Sequence, residues 1–445
     1  MRYFGVLILS LVTTVITLPY RTASAQQNQT PAKFEVLPVE EDALDPLSPF
    51  PWLDLSGELR ERITFISDIE FNPDNEDNGA FLTQRLSLTG DVTVSPWLRG
   101  RMTLLSALQE GGELSPVERN VLDLQEGYAE FGNEGAFLRI GRQELKLGSS
   151  RLVSDRNGTN VKRTWDGVRG DVGLGEWNIS VFGLQEVAVD QTGVFNDDSS
   201  DDGRLSGIYI TGLSIIGNLD LYYLFAEFED RTTSEGTGDQ QRHSIGARSF
   251  GEIGDFFWNW EAIYQFGTQE TEFGDLDITA WTIAANTGYR FPDFTWSPEI
   301  LLSTNIASGD DEQGDGTLGT FDALFPRGSY FSELALLGPS NFFNVHPYIK
   351  AHPRDDLLIF VDVNFFWRFD IDDGLFGPPG NIIRPGGTSD ARFVNTSVSA
   401  GAEWEATERL IVSFLYTHSE PGAFINETGP NDPIDFFEFS ASFKF

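Results

Sequence analysis

From Trp52 onward the sequence runs in segments about ten residues long, in which apolar and polar side chains alternate between clusters of Gly, Pro, Asn and Asp. Alternation with period two is the pattern of a β-strand with two unlike faces. Leu86, Leu88, Val92 and Val94 share one face of such a segment, and Arg85, Ser87, Thr89, Asp91 and Thr93 share the other. Trp258, Trp260, Ala262, Tyr264 and Phe266 alternate likewise with Asn259, Glu261 and Gln265. Ile359, Val361, Val363, Phe365 and Trp367 do so with Asp362, Asn364 and Arg368. A soluble sandwich also alternates, with its apolar face inward. Here the apolar face carries Trp, Tyr and Phe at the strand ends, where a membrane-spanning barrel places its aromatic girdles.

Hydropathy leaves no helical route across a bilayer. The only long apolar run, residues 4–18, follows Arg2 and precedes Ala23, Ser24 and Ala25. A basic start, an apolar core and an A-x-A site form a secretory signal peptide, expected to be cleaved before Gln26. A run of about 15 residues is shorter than the roughly 20 that span a bilayer as a helix. A closed barrel is the other fold that satisfies every backbone polar group in lipid. The aromatic share of 13%, with 37 Phe, suits that surface. Residues 26–52, rich in Gln, Pro and acid, read as a disordered periplasmic linker, and residues 53–445 as the barrel.

Connection lengths supply an independent count. Short turns fall at residues 95–96, 132–135, 173–175, 217–218, 251–255, 292–293, 353–356 and 406–407. Long polar stretches fall near 67–79, 109–121, 148–162, 188–204, 230–241, 268–275, 307–342, 371–390 and 419–433. Eight turns alternating with nine loops give an all-β, antiparallel transmembrane barrel of about 18 strands. An even count puts both termini on the periplasmic side of an outer membrane. Phe437, Phe439, Ala441, Phe443 and Phe445 form the apolar face of the last strand, whose terminal aromatic suits recognition by barrel-assembly machinery.

The formal net charge is -38, and the chain has no Cys. Acid richness argues against nucleic acid as a partner, which needs basic surface. The lack of Cys removes disulfide scaffolds, thiol catalysis and Cys-type zinc sites. His243, His346, His352 and His418 stand in no spacing with a nucleophile or metal partner, so neither an enzyme nor a cofactor or metal site is expected. Acids concentrate in loops, as at Asp197, Asp198, Asp201, Asp202, Asp310, Asp311, Asp372 and Asp373. They read as solvation, with divalent-ion bridging to lipopolysaccharide or a calcium loop as the functional alternatives.

Assigning each strand's polar face to the lumen places Arg60, Arg62, Arg85, Arg99, Arg101, Arg163, Arg169, Arg242, Arg248, Arg290, Lys350, Arg368 and Lys444 inside. They outnumber Glu58, Asp91, Asp171, Glu261, Glu299, Asp362, Glu403, Glu405 and Glu438, placed there by the same rule. Two readings of the arginines stand side by side. They form a structural ladder with lumen carboxylates, or a track for carboxylated or phosphorylated solutes read by the planar guanidinium fork.

Two patches are specific in their residues: RIGRQELKLGSSRLV at 139–153, continuing to Asn160 and RTWDGVR at 163–169, and YTHSEPGAFINETG at 416–429. They resemble the alginate export family of outer-membrane β-barrel porins, and the barrel layout is similar throughout. The resemblance implies an eighteen-stranded monomeric porin with an arginine-rich constriction passing an anionic polysaccharide such as alginate or related uronate polymers. It carries a pore-lining role onto Arg142 and Arg169. Arg139 and Arg142 have opposite strand phase unless Gly141 makes a bulge. The inferred lumen is less basic than a dedicated polyuronate pore suggests, so a general diffusion porin is the alternative. A barrel with a closed lumen would need plugging loops, for which 307–342 is the candidate.

Overall fold

A computed structural model describes residues 46–445 apart from Glu113 and Ile216. The signal peptide assigned to residues 1–25 and the linker as far as residue 45 lie outside these. The alternating segments form strands β1 (Leu53–Ile66), β2 (Gly79–Ser95), β3 (Leu98–Glu110), β4 (Asn120–Asn133), β5 (Ala136–Gln143) and β6 (Trp165–Leu174). They continue as β7 (Trp177–Ala188), β8 (Asp198–Ser214), β9 (Gly217–Thr233), β10 (Gly236–Ile253), β11 (Phe256–Thr271) and β12 (Gly274–Arg290). The last six are β13 (Glu299–Ala307), β14 (Phe342–Arg354), β15 (Leu357–Arg368), β16 (Phe393–Thr407), β17 (Leu410–Pro421) and β18 (Ile434–Lys444). Each pairs antiparallel with its chain neighbours, and β1 pairs with β18, Arg60 opposite Ser442, to close an 18-stranded barrel.

At one end of the barrel the connections are two-residue turns, except for an eight-residue turn at 291–298. The other end carries the long segments, with two departures from expectation. The stretches near 230–241 and 268–275 are two-residue turns at 234–235 and 272–273, because β9 to β12 run on for 16–18 residues. About ten residues suffice for a tilted strand to cross a bilayer. The excess protrudes as paired ladder, whose polar composition above the membrane is indistinguishable from that of a loop. At the other extreme, the last residues of the expected linker, Leu47–Phe50, form a short strand on β1, with Phe50 stacked on Trp52 at 5.3 Å.

Burial is inverted relative to a soluble protein. On β1 and β18, Ile63 is 55% exposed and Phe439 47%, whereas Arg60 on β1 and Arg85 on β2 are 8% and 2% exposed. An apolar band of this extent, continued by Leu88, Ile245, Ile283, Ile349 and Val361, belongs against lipid.

The inward face changes character along the strands. Apolar side chains gather toward the loop end, with Trp165, Phe182, Leu184, Leu205, Phe228, Phe342, Phe366 and Phe436 buried in one cluster among buried charged groups such as Arg242 and Arg368. Two segments fold back into the barrel and fill it there. Residues 144–164 bring Leu145, Leu147, Leu152 and Val153, and residues 308–341 bring Phe321, Leu324, Phe325 and Phe331. Val153 and Phe325 are bridged, and the Phe325 ring meets Trp165 edge-on at 4.7 Å. Burying each such side chain contributes roughly 1.5–3 kcal/mol, which holds both segments inside.

Candidate functional site

The segment 144–164 leaves β5 because its backbone cannot continue a strand: Gly148, Ser150 and Arg156 are left-handed, with φ of 53°, 61° and 55°. Its tip is gripped by three inward arginines of adjacent strands. Arg60 donates from Nη1 to the Asn157 carbonyl at 3.1 Å and from Nη2 to the Thr159 carbonyl at 2.7 Å. Arg62 Nη2 donates to the Gly158 carbonyl at 2.5 Å. Arg85 Nη1 donates to both outer carbonyls at 3.2 Å. Glu58 pairs with Arg85 at 2.8 Å and Glu438 with Arg62 at 3.5 Å, and Glu118 and Glu333 add their charge from further off. Arg60 Nε and Arg85 Nε are buried without an acceptor. Beside the tip, Asn160 is pinned by its Nδ2, which donates to the carbonyls of Gln84, Leu108 and Glu118.

The other half of this segment reaches the opposite wall. Arg151 Nη1 and Ser149 Oγ donate to Glu261 Oε2 on β11 at 2.7 and 2.8 Å, and Tyr222 Oη donates to Oε1 at 2.6 Å. Tyr222 stacks on Tyr209 at 5.2 Å, and Tyr209 Oη and Arg248 both donate to Asp220. A Cβ on Gly148 would lie 2.4 Å from Tyr209 Oη, so a glycine is required where the backbone passes. The segment therefore crosses the lumen from β1 and β2 to β8–β11.

The segment 308–341 is tied to the neighbouring wall. Arg242 donates to Gln240, to Gln265 and to the Thr320 carbonyl. Arg231 pairs with Asp322 at 2.6 Å. Although burial opposes ionisation, Arg231 and Arg242 hold the Asp322 carboxyl below the usual range. The two segments meet at their tips, where a Cβ built on Gly158 would lie 3.4 Å from Ser329 Oγ and 3.5 Å from Glu333 Oε2. Next to that junction stands Arg156. Among the described residues its guanidinium makes no hydrogen bond or ion pair. Burial, then Arg163, push it down to about 9 against the opposing pull of Glu186 and Glu118, which leaves it charged at neutral pH.

Most of the remaining wall cations carry a carboxylate. Arg99 and Arg139 share Glu130 at 2.8 and 2.9 Å, Arg101 takes Asp91 and Glu126, and Arg169 takes Asp171 at 2.6 Å. Arg163 pairs with Glu186 and donates to the Pro326 carbonyl; Arg248 pairs with Asp220, Arg290 with Glu252 and Glu299, and Lys350 with Glu299. Arg368 instead sits among the carbonyls of Ile371, Asp373, Ser389 and Ala391. The register through Gly141 is unbroken, so there is no bulge: Arg139 faces Glu130 and Arg169 on the lumen side, and Arg142 takes the opposite phase, with Ile140. Arg142 there clamps Asp166 at 2.9 Å and the Asp197 carbonyl at 3.3 Å, tying the segment 189–197 to the wall.

Arg151, Arg156 and Arg231 were missed by strand phase, the first two because they lie on a segment expected outside the barrel. The signal for that segment was present in Leu145, Leu147, Leu152, Val153 and Val161, too many apolar residues for a solvated loop.

Closed strands, a lipid-type exterior and a charged interior narrowed by two infolded segments define an outer-membrane β-barrel channel of the porin class. Within that class the chain belongs to the alginate export family, whose family model matches residues 51–436. No curated protein matches it. Solved structures of similar fold include Pseudomonas aeruginosa OccK11 (OpdR), with 13% identity over 88% of this chain and 96% of that one, at a TM-score of 0.57. Pseudomonas aeruginosa OccK2 (OpdF) in complex with glucuronate shares 12% identity over 88% and 96%, at 0.57. Acinetobacter baumannii OccAB4 shares 11% over 89% and 100%, also at 0.57.

Proposed function

We propose that the channel carries carboxylated saccharides, uronate oligomers or polymers, across the outer membrane. The observation that carries this reading is Arg156, a guanidinium that among the described residues makes no hydrogen bond or ion pair, where the two infolded segments meet, beside the Arg60, Arg62 and Arg85 cluster. A guanidinium whose donors are not taken up by hydrogen bonds, in a narrow, low-dielectric lumen, raises the local concentration of anions, and its planar fork matches a carboxylate. Family membership supports the same solute class, and one protein of similar fold was solved with glucuronate.

The test is the reversal potential of the purified barrel in planar bilayers under a salt gradient, with oligogalacturonate as blocker. Anion preference at low salt, block by the oligouronate and loss of both in Arg156→Gln are expected. Cation preference together with indifference to oligouronates would overturn the reading. A general diffusion porin is the second reading, favoured by the carboxylate partners of most wall arginines, which leave them as a structural ladder.

A further inference from the structure

The cluster on β1 and β2 is already occupied, and by the protein itself. Three arginines spend their terminal donors on three consecutive carbonyls, Asn157, Gly158 and Thr159. We infer that this contact is an autoinhibitory latch: the tip of the infolded segment stands in for a solute carboxylate, and a carboxylate arriving in the lumen displaces it and frees the tip. The inference rests on the carboxylated-solute reading above and adds regulation to it.

The chemistry of the acceptors is the first support. A peptide carbonyl brings no charge of its own to a guanidinium, whereas a carboxylate adds the opposite charge and can accept two parallel bonds in a fork. The latch is therefore made of the weaker partner for a guanidinium. The unused Nε donors of Arg60 and Arg85 are buried beside it, so the cluster is not saturated by the carbonyls it holds. A conformational equilibrium shifts only if the ligand binds one state better. Here the released state exposes the terminal donors of three guanidiniums that the latched state covers.

The mechanical layout is the second support. The flanks of the tip are held by other means: Arg151 by Glu261 on one side, Asn160 by three backbone carbonyls on the other. Between them the arginines hold the carbonyls of residues 157–159, while Asp155 is held by the Arg163 N–H at 2.7 Å, and Arg156 has a left-handed backbone, φ 55°, that an extended tip would relieve. Across the lumen the tip faces Ser329 and Glu333 without a hydrogen bond from Gly158.

The chain contains no Cys, so a single pair can be introduced into the full-length barrel. Gly158→Cys with Ser329→Cys is placed for a disulfide in the latched state, the built Cβ at 158 lying 3.4 Å from the 329 side-chain oxygen. Under a fixed mild oxidant, saturating trigalacturonate should slow disulfide formation by about fivefold or more, the low end of couplings between sites, and maltotriose should not. The oxidised barrel should pass trigalacturonate into liposomes far more slowly than the reduced one. Adding Arg60→Gln and Arg85→Gln should make cross-linking slow without solute and indifferent to it. Cross-linking at one rate with and without trigalacturonate, in a barrel that trigalacturonate blocks or permeates, would overturn the latch and leave the solute class standing. A barrel that trigalacturonate neither blocks nor permeates would overturn both.

Discussion

Phe445, the last residue of the sequence, lies over Gly57 of the first barrel strand. Its N–H donates to the Gly57 carbonyl at 3.0 Å, the Gly57 N–H donates back at 2.8 Å, and its ring comes within 2.6 Å of where a Cβ on Gly57 would stand. The closing seam of the barrel thus ends in one interlocked aromatic and glycine. Deleting Phe445 should slow membrane assembly more than it weakens the finished barrel, because the β1–β18 ladder persists without it. Heat-modifiable gel mobility after pulse labelling reads the rate, and equal rates would count against a role in assembly. Gly57→Val should act the other way, costing about 1–3 kcal/mol of stability by overpacking, read as a lower urea midpoint.

Glu261 anchors the far half of the infolded segment. Replacing it with Leu strands Arg151 in a buried site, which typically costs about 3–5 kcal/mol. The double variant Arg151→Leu with Glu261→Leu should recover much of that loss, because a buried ion pair replaced by apolar side chains is often neutral. Unfolding midpoints of the two singles and the double check this; a double variant as weak as the sum of the singles would contradict it.

Asp310 and Asp373 are both buried, and the Asp310 N–H donates to the Asp373 carboxylate at 3.0 Å. Burial, then Asp373, push the Asp310 carboxyl up to about 6, and burial also raises Asp373. Glu235 adds a like charge, while the N–H groups of Glu312 and Gly319 oppose the shift. A carboxyl whose folded value is raised binds its proton more tightly when folded. Its contribution is full below the ordinary aspartate range and is lost as pH rises through about 6. Amide exchange in residues 308–341 should therefore accelerate, relative to intrinsic rates, between pH 4 and pH 7, and Asp310→Asn should flatten the dependence. Slower relative exchange at pH 7 would reverse the sign and refute it.

Arginines of opposite phase should differ in what they control. Arg99 and Arg101, with side chains 44% and 38% exposed near the turn end of the lumen, are balanced by Glu130, Asp91 and Glu126. Changing both to Gln leaves Asp91 and Glu126 without Arg101 and Glu130 with Arg139 alone, so the reversal potential should move toward cation preference, fading as salt screens charge over about 10 Å at 0.1 M. Arg142→Gln should leave the potential unchanged and instead loosen residues 189–197, read by limited proteolysis. A shift of potential in Arg142→Gln equal to that of the Arg99 and Arg101 variant would contradict the assigned phases.

Local order determined the barrel. Period-two alternation is a property of the pleat, so the facing of Arg60, Arg62, Arg85 and Arg248 and the apolar band of Phe437, Phe439 and Phe443 follow from neighbours two residues apart. The number of strands follows from the turns between them. The partners of the lumen charges do not. Asn157 and Thr159 lie far along the chain from Arg60, as Glu261 does from Arg151, and the Arg139 and Arg142 phases waited on an unbroken register through Gly141. Whether residues 144–164 run outward into water or inward across the lumen depends on apolar side chains of β6 to β9 that receive Leu145, Leu152 and Val153. Only closure brings those walls together, because burial is a property of the assembled barrel and of no single segment.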